Sequence, residues 1–408
     1  MHILIAPDSY KGSLTARQVS DILAQALLTH PGVTVATLPL SDGGEGFGTC
    51  CVDACNGDIL YTNAVDLYGN TIQAPLYTWG DTALIECAAT CALQTKKDIM
   101  AASSYGVGMQ LKNAIDLGFK HFIIGLGGSG MCDGGAGALA ALGVAFYDRN
   151  GTSIPHPTGG DLQWIERLQI PLDFQRCVKG MHFTYACDVT NPLTGPEGAS
   201  AVFGPQKGAS REDVTLLDGA LRHVSSVIER ALAEQVPAER NGDGGKVEAA
   251  VAESSSPGHR SRPDHRTRTP IADHPGAGAA GIGMALLAVL HADFRLGIDL
   301  VIEQSGLDAA AQWADIVFTG EGSIDAQTMF GKTPVGVASV AKRHGKPVIA
   351  IAGHVGDGIE CLHRRGIDAV FGAAPGAASL DELLRDARAN VARTAEQVTR
   401  LMRIVRSH

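Results

Sequence analysis

Apolar and polar positions change period several times along the chain, and those changes divide it. HILIAP at 2–7 is continuously apolar and predicts a buried strand, and the polar loop DSYKGS follows it. Val19, Ile22, Leu23, Ala26 and Leu27 then recur at helical spacing behind Thr15, a residue suited to an N-cap, so a helix is predicted from about Thr15 to Leu28. TVATLPL at 34–40 predicts a second strand that ends in SDGGEGFG, and a short helix to about Cys55 follows. Strand, polar loop and helix in repetition is the rhythm of a parallel sheet. Between 58 and 86 the rhythm changes. ILYTNAVD, TIQAPLYTW and TALIEC, punctuated by Tyr68-Gly69-Asn70 and Gly80-Asp81, predict an antiparallel meander and place a boundary near residue 58.

Further along, the pattern predicts a helix at 103–117, a strand HFIIGLGG (121–128), a small-residue helix DGGAGALAALG, a strand HFTYACDV (182–189) and a long helix from Arg211 to Gln235. Residues 237–274 are rich in Pro, Gly, Ser, Arg and His with almost no large apolar side chain, and read as a disordered surface insertion. GAGAAGIGMALLAVL then opens a buried helix. The parallel rhythm returns with strands at 315–322, 347–355 and 368–374 and helices at 333–343, 356–365 and 380–402. The predicted fold is α/β: a Rossmann-like, doubly wound parallel-sheet domain of residues 1–58 and 292–408, split in sequence by an inserted second α/β domain at 59–291.

Composition narrows the classes. The formal charge of −10 argues against nucleic-acid binding, which leans on basic surface. Nine cysteines are scattered without a CxxC pair, which fits buried thiols in a reducing compartment better than a zinc ribbon or redox site. Polar residues arrive by position 8, against a signal peptide, and the longest apolar stretch, Gly276 to Leu290, falls short of the roughly 18–20 residues that span a bilayer. A soluble, cytoplasmic protein without a membrane partner is expected.

Candidate chemistry gathers in loops that should lie beyond the carboxyl ends of parallel strands, where such sheets bind ligands. Three of them (8–13, 41–46 and 319–325) bring Asp8, Asp42, Glu45, Glu321 and Asp325 together with Lys11. Any one loop reads as helix capping; three on one rim read as a ligand cleft. Gly125-Leu126-Gly127-Gly128-Ser129-Gly130 and Gly276-Ala277-Gly278-Ala279-Ala280-Gly281 both match G-x-G-x-x-G, whose bare amides suit oxyanions, although tight turns use the same pattern. Gly331-Lys332-Thr333 ends like a Walker A loop, but Ala326 occupies the first glycine position, so a P-loop is excluded. Asp188 ends an apolar strand before Asn191-Pro192, where an Asx turn and a catalytic carboxylate are equally good readings. Lys207 lies in Gly204-Pro205-Gln206-Lys207-Gly208, available to an anion.

IAPDSYKGSLTA (5–16), PLSDGGEGFG (39–48), IIGLGGSGMCDGGAGALAALG (123–143), ACDVTNPLTGPEGASAVFGPQKGAS (186–210), PGAGAAGIGMAL (275–286) and FTGEGSIDAQTMFGKTPVGVA (318–338) together resemble the type-1 bacterial glycerate kinases, in that family's order and over nearly the whole chain. The resemblance implies ATP-dependent phosphorylation of D-glycerate, to 2-phosphoglycerate in members that serve sugar-acid breakdown, with ATP and Mg2+ as cofactors and the site between two α/β domains. It implies Asp188 as the base, with Asp8 the second choice, and Lys11 as a charge neutraliser. Ser9, Asp42, Gly43, Gly44, Asn191 and Lys207 would hold the substrate. Gly127, Gly128, Ser129, Gly276 and Gly278 would wrap the ATP phosphates, and Asp133, Glu321 and Asp325 would contact the metal. Family members often carry Ser-Ala-Thr-Asn-Asp-Gly-Gly where this chain has Ser129 to Gly135 as SGMCDGG, so a Thr or Asn contact is missing. Phosphorylation at the 3-hydroxyl, an NAD-dependent dehydrogenase invited by the two glycine patterns, and a non-catalytic sensor of small acids are the competing readings. A homodimer is left open.

Overall fold

The computed structural model describes residues 1–41, 46–235, 270–329 and 332–406. Asp42, Gly43, Gly44 and most of the 237–274 insertion lie outside the described residues.

Two sheets organise the chain. The first is five-stranded and wholly parallel, with His2–Ile5 at its centre between Thr34–Thr37 and Ile316–Thr319, and with Val348–Ala352 and Ala369–Gly372 beyond. The second has six strands. The meander Asp58–Val65, Thr71–Trp79 and Thr82–Glu86 is antiparallel, and from its last strand the sheet continues in parallel through His121–Gly125, His182–Ala186 and Asp293–Arg295. The last of these strands pairs in parallel with His182–Ala186 and so belongs to the second sheet.

Period-two alternation sends successive side chains to opposite faces and thereby stacks the layers. Ile3 and Ile5 pack with Val19, Ile22, Leu23, Val391 and Val398 of the helices Ala16–Leu27 and Ala387–Arg406. Leu4 and Ala6 face the other way, into a core with Phe47, Val52, Val301 and Val337 from the helices Phe47–Cys55, Gly297–Ser305 and Thr333–Arg343. That same core takes Tyr77, Leu84, Ile123 and Ala186 from the second sheet. The opposite face of the second sheet (Ala83, Ile85, Phe122 and Ile124) packs on Val107, Leu111, Val224 and Leu286. A shared layer of helices therefore joins the sheets, and the two domains are not separated by a solvated gap along this face.

Local signals account for several of these elements. Thr15 caps the first helix in a capping box with Gln18, as its position predicts. The predicted helix 380–402 is broken: Leu380–Arg385, capped by Ser379 and Glu382, stops at Asp386 and Ala387–Arg406 begins anew. The buried helix expected after the insertion is short, a 3-10 turn Ala279–Gly281 followed by Gly283–Ala288. Gly48 permits a close approach between the domains, since a Cβ there would lie 2.3 Å from the Tyr77 ring. Its amide donates to Glu86 Oε1 at 2.7 Å, and Tyr77 donates to Glu86 Oε2 at 3.3 Å.

Candidate active site

The carboxyl edge of the first sheet gathers its polar loops around a cavity of about 540 Å3. Asp8 follows the central strand and is buried, at 5% exposure. Its Oδ2 accepts the Thr333 hydroxyl at 2.6 Å and its Oδ1 accepts the Ser9 amide at 2.5 Å. Glu321, beyond the neighbouring strand, is 7% exposed; its Oε1 accepts from Thr328 Oγ1 at 2.6 Å and its Oε2 pairs with Lys332 Nζ at 3.1 Å. Lys11 is exposed and lines the cavity together with Ser9, Ser13 and His354. Tyr10 forms one wall and donates to the Ile351 carbonyl at 2.5 Å. Burial, reinforced by the nearby Glu321 carboxylate, pushes its phenol far above the usual range, so it stays a neutral donor. Thr333 opens a helix with Pro334 in its first turn, so the positive end of that helix also points to this rim.

Sequence reasoning placed Asp8, Ser9, Lys11 and Glu321 on one rim, and they are there. It passed over Lys332, Thr333 and Thr328. The Gly-Lys-Thr triplet was the available signal, set aside because it does not complete a P-loop. Asp325 lies beside the rim but turns its Oδ1 to the Gln327 amide at 2.8 Å, which caps a short 3-10 turn.

The second sheet contributes its own carboxyl edge. Gly127 and Gly128 follow His121–Gly125 and are exposed, and their amides donate to no backbone carbonyl among the described residues. Asp188 follows His182–Ala186 and is exposed. Glu86, not singled out from the sequence, ends Thr82–Glu86 and holds the start of the helix Phe47–Cys55. The Cys50 thiol on that helix is pushed up to about 12, first by burial and then by the carboxylates of Asp8, Asp53 and Glu86. One side chain thus lies in electrostatic reach of the rims of both sheets. Within the second sheet's domain, Cys187 and Lys207 both act on Cys87, the residue after Glu86.

Several predicted ligands have other duties. Lys207 is 3% exposed, and its ammonium donates to Met131 O at 2.7 Å, Ala280 O at 3.0 Å and Ser129 Oγ at 3.2 Å. Burial pushes its pKa down. It staples two glycine loops together and does not present its charge to solvent. Ser129 is in turn fixed to Ala280 O at 3.0 Å. The Gly276 and Gly278 amides already donate to Thr190 O and Asn191 O, both at 3.1 Å, and a Cβ on Gly278 would lie 2.2 Å from Pro192 O. These glycines serve close packing, and those two amides are not left for phosphate. Asn191 spends its Nδ2 on Glu197 O at 2.8 Å.

The three expected metal contacts do not converge. Asp133 is fully buried in the inserted domain, where it accepts from Ser104 N and Oγ, Gly135 N and Gly137 N. Burial raises its pKa against those bonds. Among the described residues, no cluster of three or more His, Cys, Asp or Glu side chains is placed to hold a metal, and Glu321 and Asp325 are engaged as described.

A doubly wound parallel sheet with a cavity at its carboxyl edge that Asp8, Lys11, Glu321 and Lys332 help to line, joined to a second sheet whose own carboxyl edge carries exposed glycines, is the architecture of an α/β enzyme acting on a small molecule. The chain is similar to the glycerate kinase of Bacillus subtilis (36% identity, covering 100% of this chain and 99% of that one) and to the glycerate 2-kinase of Escherichia coli K12 (37%, 99% and 98%). A crystal structure from Salmonella typhimurium LT2, provisionally designated glycerate kinase 2, matches with TM-score 0.79 at 38% identity, each chain covered in full. The model of the glycerate kinase family matches residues 3–403, and the chain belongs to that family. It is therefore a kinase whose acceptor is an alcohol group, with ATP as co-substrate, and the dehydrogenase and sensor readings fall. No helix among the described residues is long and apolar enough to cross a membrane.

Proposed function

We propose that the protein transfers the γ-phosphoryl group of ATP to the 2-hydroxyl of D-glycerate, in the cytoplasm, at the seam between the two carboxyl edges. The observation that carries this reading is the buried Asp8 carboxylate, oriented by Thr333 in a cavity that Lys11 and Lys332 also line. Phosphoryl transfer needs in-line positioning, cations for the spreading charge and a base for the attacking hydroxyl. Lys11 and Lys332 supply positive charge. Asp188, exposed at the end of its strand, takes the hydroxyl proton, and Asp8 with Ser9 orients the reacting groups. The donor is taken as MgATP, the cation entering with the triphosphate as part of the substrate. The similarity to the Escherichia coli glycerate 2-kinase supports attack by the 2-hydroxyl. Phosphorus NMR of the product formed from D-glycerate and MgATP tests reaction and position together: a 2-phosphoglycerate resonance is expected, and 3-phosphoglycerate would overturn the assignment.

A further inference from the structure

A second cavity, an open groove of about 810 Å3, follows the helix Thr333–Arg343 away from the catalytic rim. Val335, Ser339 and Lys342 line it from one face of that helix, spaced by four and three residues. At the Val335 end the helix Gly297–Ser305 comes close, because residue 336 is glycine: a Cβ there would lie 2.3 Å from Ile298 Cγ1. Leu296, Ile298 and Val335 make this end apolar, with Asp299 beside them. Lys342 lies about 10 Å further along at 1.5 Å per residue. There the loop before the strand Ala369–Gly372 crosses it, and a Cβ on Gly366 would lie 2.6 Å from Lys342 Cγ. That loop enters its strand at the amino end, so this end of the groove belongs to the sheet edge opposite Asp8.

Four cations gather at that edge: Lys342, Arg343, Arg364 and Arg365. Two have structural duties. Lys342 pairs with Asp368 at 2.6 Å and Arg343 with Asp308 at 2.9 Å, and both suit the last turn of their helix. Arg364 and Arg365 are exposed and have no hydrogen bond or ion pair among the described residues. They follow a helix, Glu360–His363, of a single turn, which gives two adjacent guanidinium groups nothing to neutralise. On a chain of formal charge −10, an unspent arginine pair beside Lys342 in a groove with an apolar end is a recognition feature. Guanidinium forks match phosphate oxygens, and the apolar end rewards a carbon body that a bare anion lacks. We propose that this groove binds an organic phosphate monoester with an aromatic or alkyl body, its phosphate on Arg364, Arg365 and Lys342 and its body over Ile298 and Val335. The site is separate from the catalytic one.

Calorimetry on the full chain tests this, with MgATP saturating and D-glycerate absent, using 1-naphthyl phosphate and inorganic phosphate as probes. The naphthyl ester is expected to bind at one site, at least tenfold more tightly than inorganic phosphate. Arg364→Ala with Arg365→Ala, on exposed side chains, should weaken it at least tenfold. Ser339→Trp, which keeps every charge and fills the groove between its ends, should weaken it at least fivefold. Both proteins should keep kcat and KM for D-glycerate within twofold and melt like wild type. Absence of binding to wild type, or unchanged affinity in both variants, overturns the site. Equal affinity for the two probes overturns the organic body. A fall in kcat in the folded double variant would place the arginines in the reaction and overturn the separation from the catalytic rim.

Discussion

Thr333 donates its hydroxyl to Asp8 across 325 positions of sequence, at 2.6 Å, and so ties the start of a helix to the loop after the first strand. Asp8 is buried, and an oxygen left without this donor would carry a desolvation cost of about 1–3 kcal/mol. Thr333→Val is therefore expected to lower kcat/KM at least tenfold with a modest loss of stability, while Thr333→Ser retains most activity. Steady-state kinetics with D-glycerate and MgATP check this; wild-type kcat/KM in Thr333→Val would show that Asp8 needs no such orientation.

Asp188→Asn removes the proposed proton acceptor and leaves an exposed polar group of the same shape. General-base catalysis contributes roughly 10²–10⁴-fold, and kcat should fall within that range with circular dichroism unchanged. A variant that keeps near-normal kcat would hand the role to Asp8.

Lys207 separates a structural from a substrate-binding role. Lys207→Met leaves the carbonyls of Met131 and Ala280 and the Ser129 hydroxyl without their shared donor, at about 1–3 kcal/mol for each buried acceptor left unsatisfied. The expected outcome is a melting temperature lower by several degrees. A variant that melts like wild type but shows a raised KM for D-glycerate would restore the anion-binding role.

At the domain seam, Gly48→Ala would drive a methyl group into the Tyr77 ring and disturb the amide bond to Glu86. Overpacking of this kind costs about 1–3 kcal/mol, so urea unfolding should shift to lower midpoint. An unshifted midpoint would mean that the two domains separate easily along this face.

Alkaline pH should weaken the fold through its thiols. Burial first, and nearby carboxylates after it, push Cys50 up to about 12; burial dominates again at Cys132 and Cys187, both raised to about 11 from an ordinary 9.0. Above about pH 9 the unfolded chain loses these protons while the folded chain keeps them. Unfolded-minus-folded proton binding is then negative, and stability falls as pH rises toward 11–12. Urea titrations at pH 7.5, 9 and 10.5 should show a progressive loss, shallower in Cys132→Ala.

What could be read from the residues alone was local. Period and punctuation located every strand of the two sheets except Asp293–Arg295, together with the antiparallel meander, the helices 211–235 and 333–343 and the Thr15 cap, because alternation, helical spacing and capping chemistry act over a few residues. The run of motifs from Asp8 to Thr333 was enough to indicate the family. Partner choice was not legible, because burial and close approach are set by chain segments far apart in sequence. Lys207 and Asp133 are charged residues that the sequence offers to ligands and the packing takes inside, where each is held by three or more bonds. Gly276 and Gly278 fit a phosphate pattern, yet their amides meet the 190–191 carbonyls once the loops fold together. Glu86, Thr333 and the apolar side chains lining the cavity became visible only in three dimensions, since their significance lies in which distant helix or strand stands opposite them.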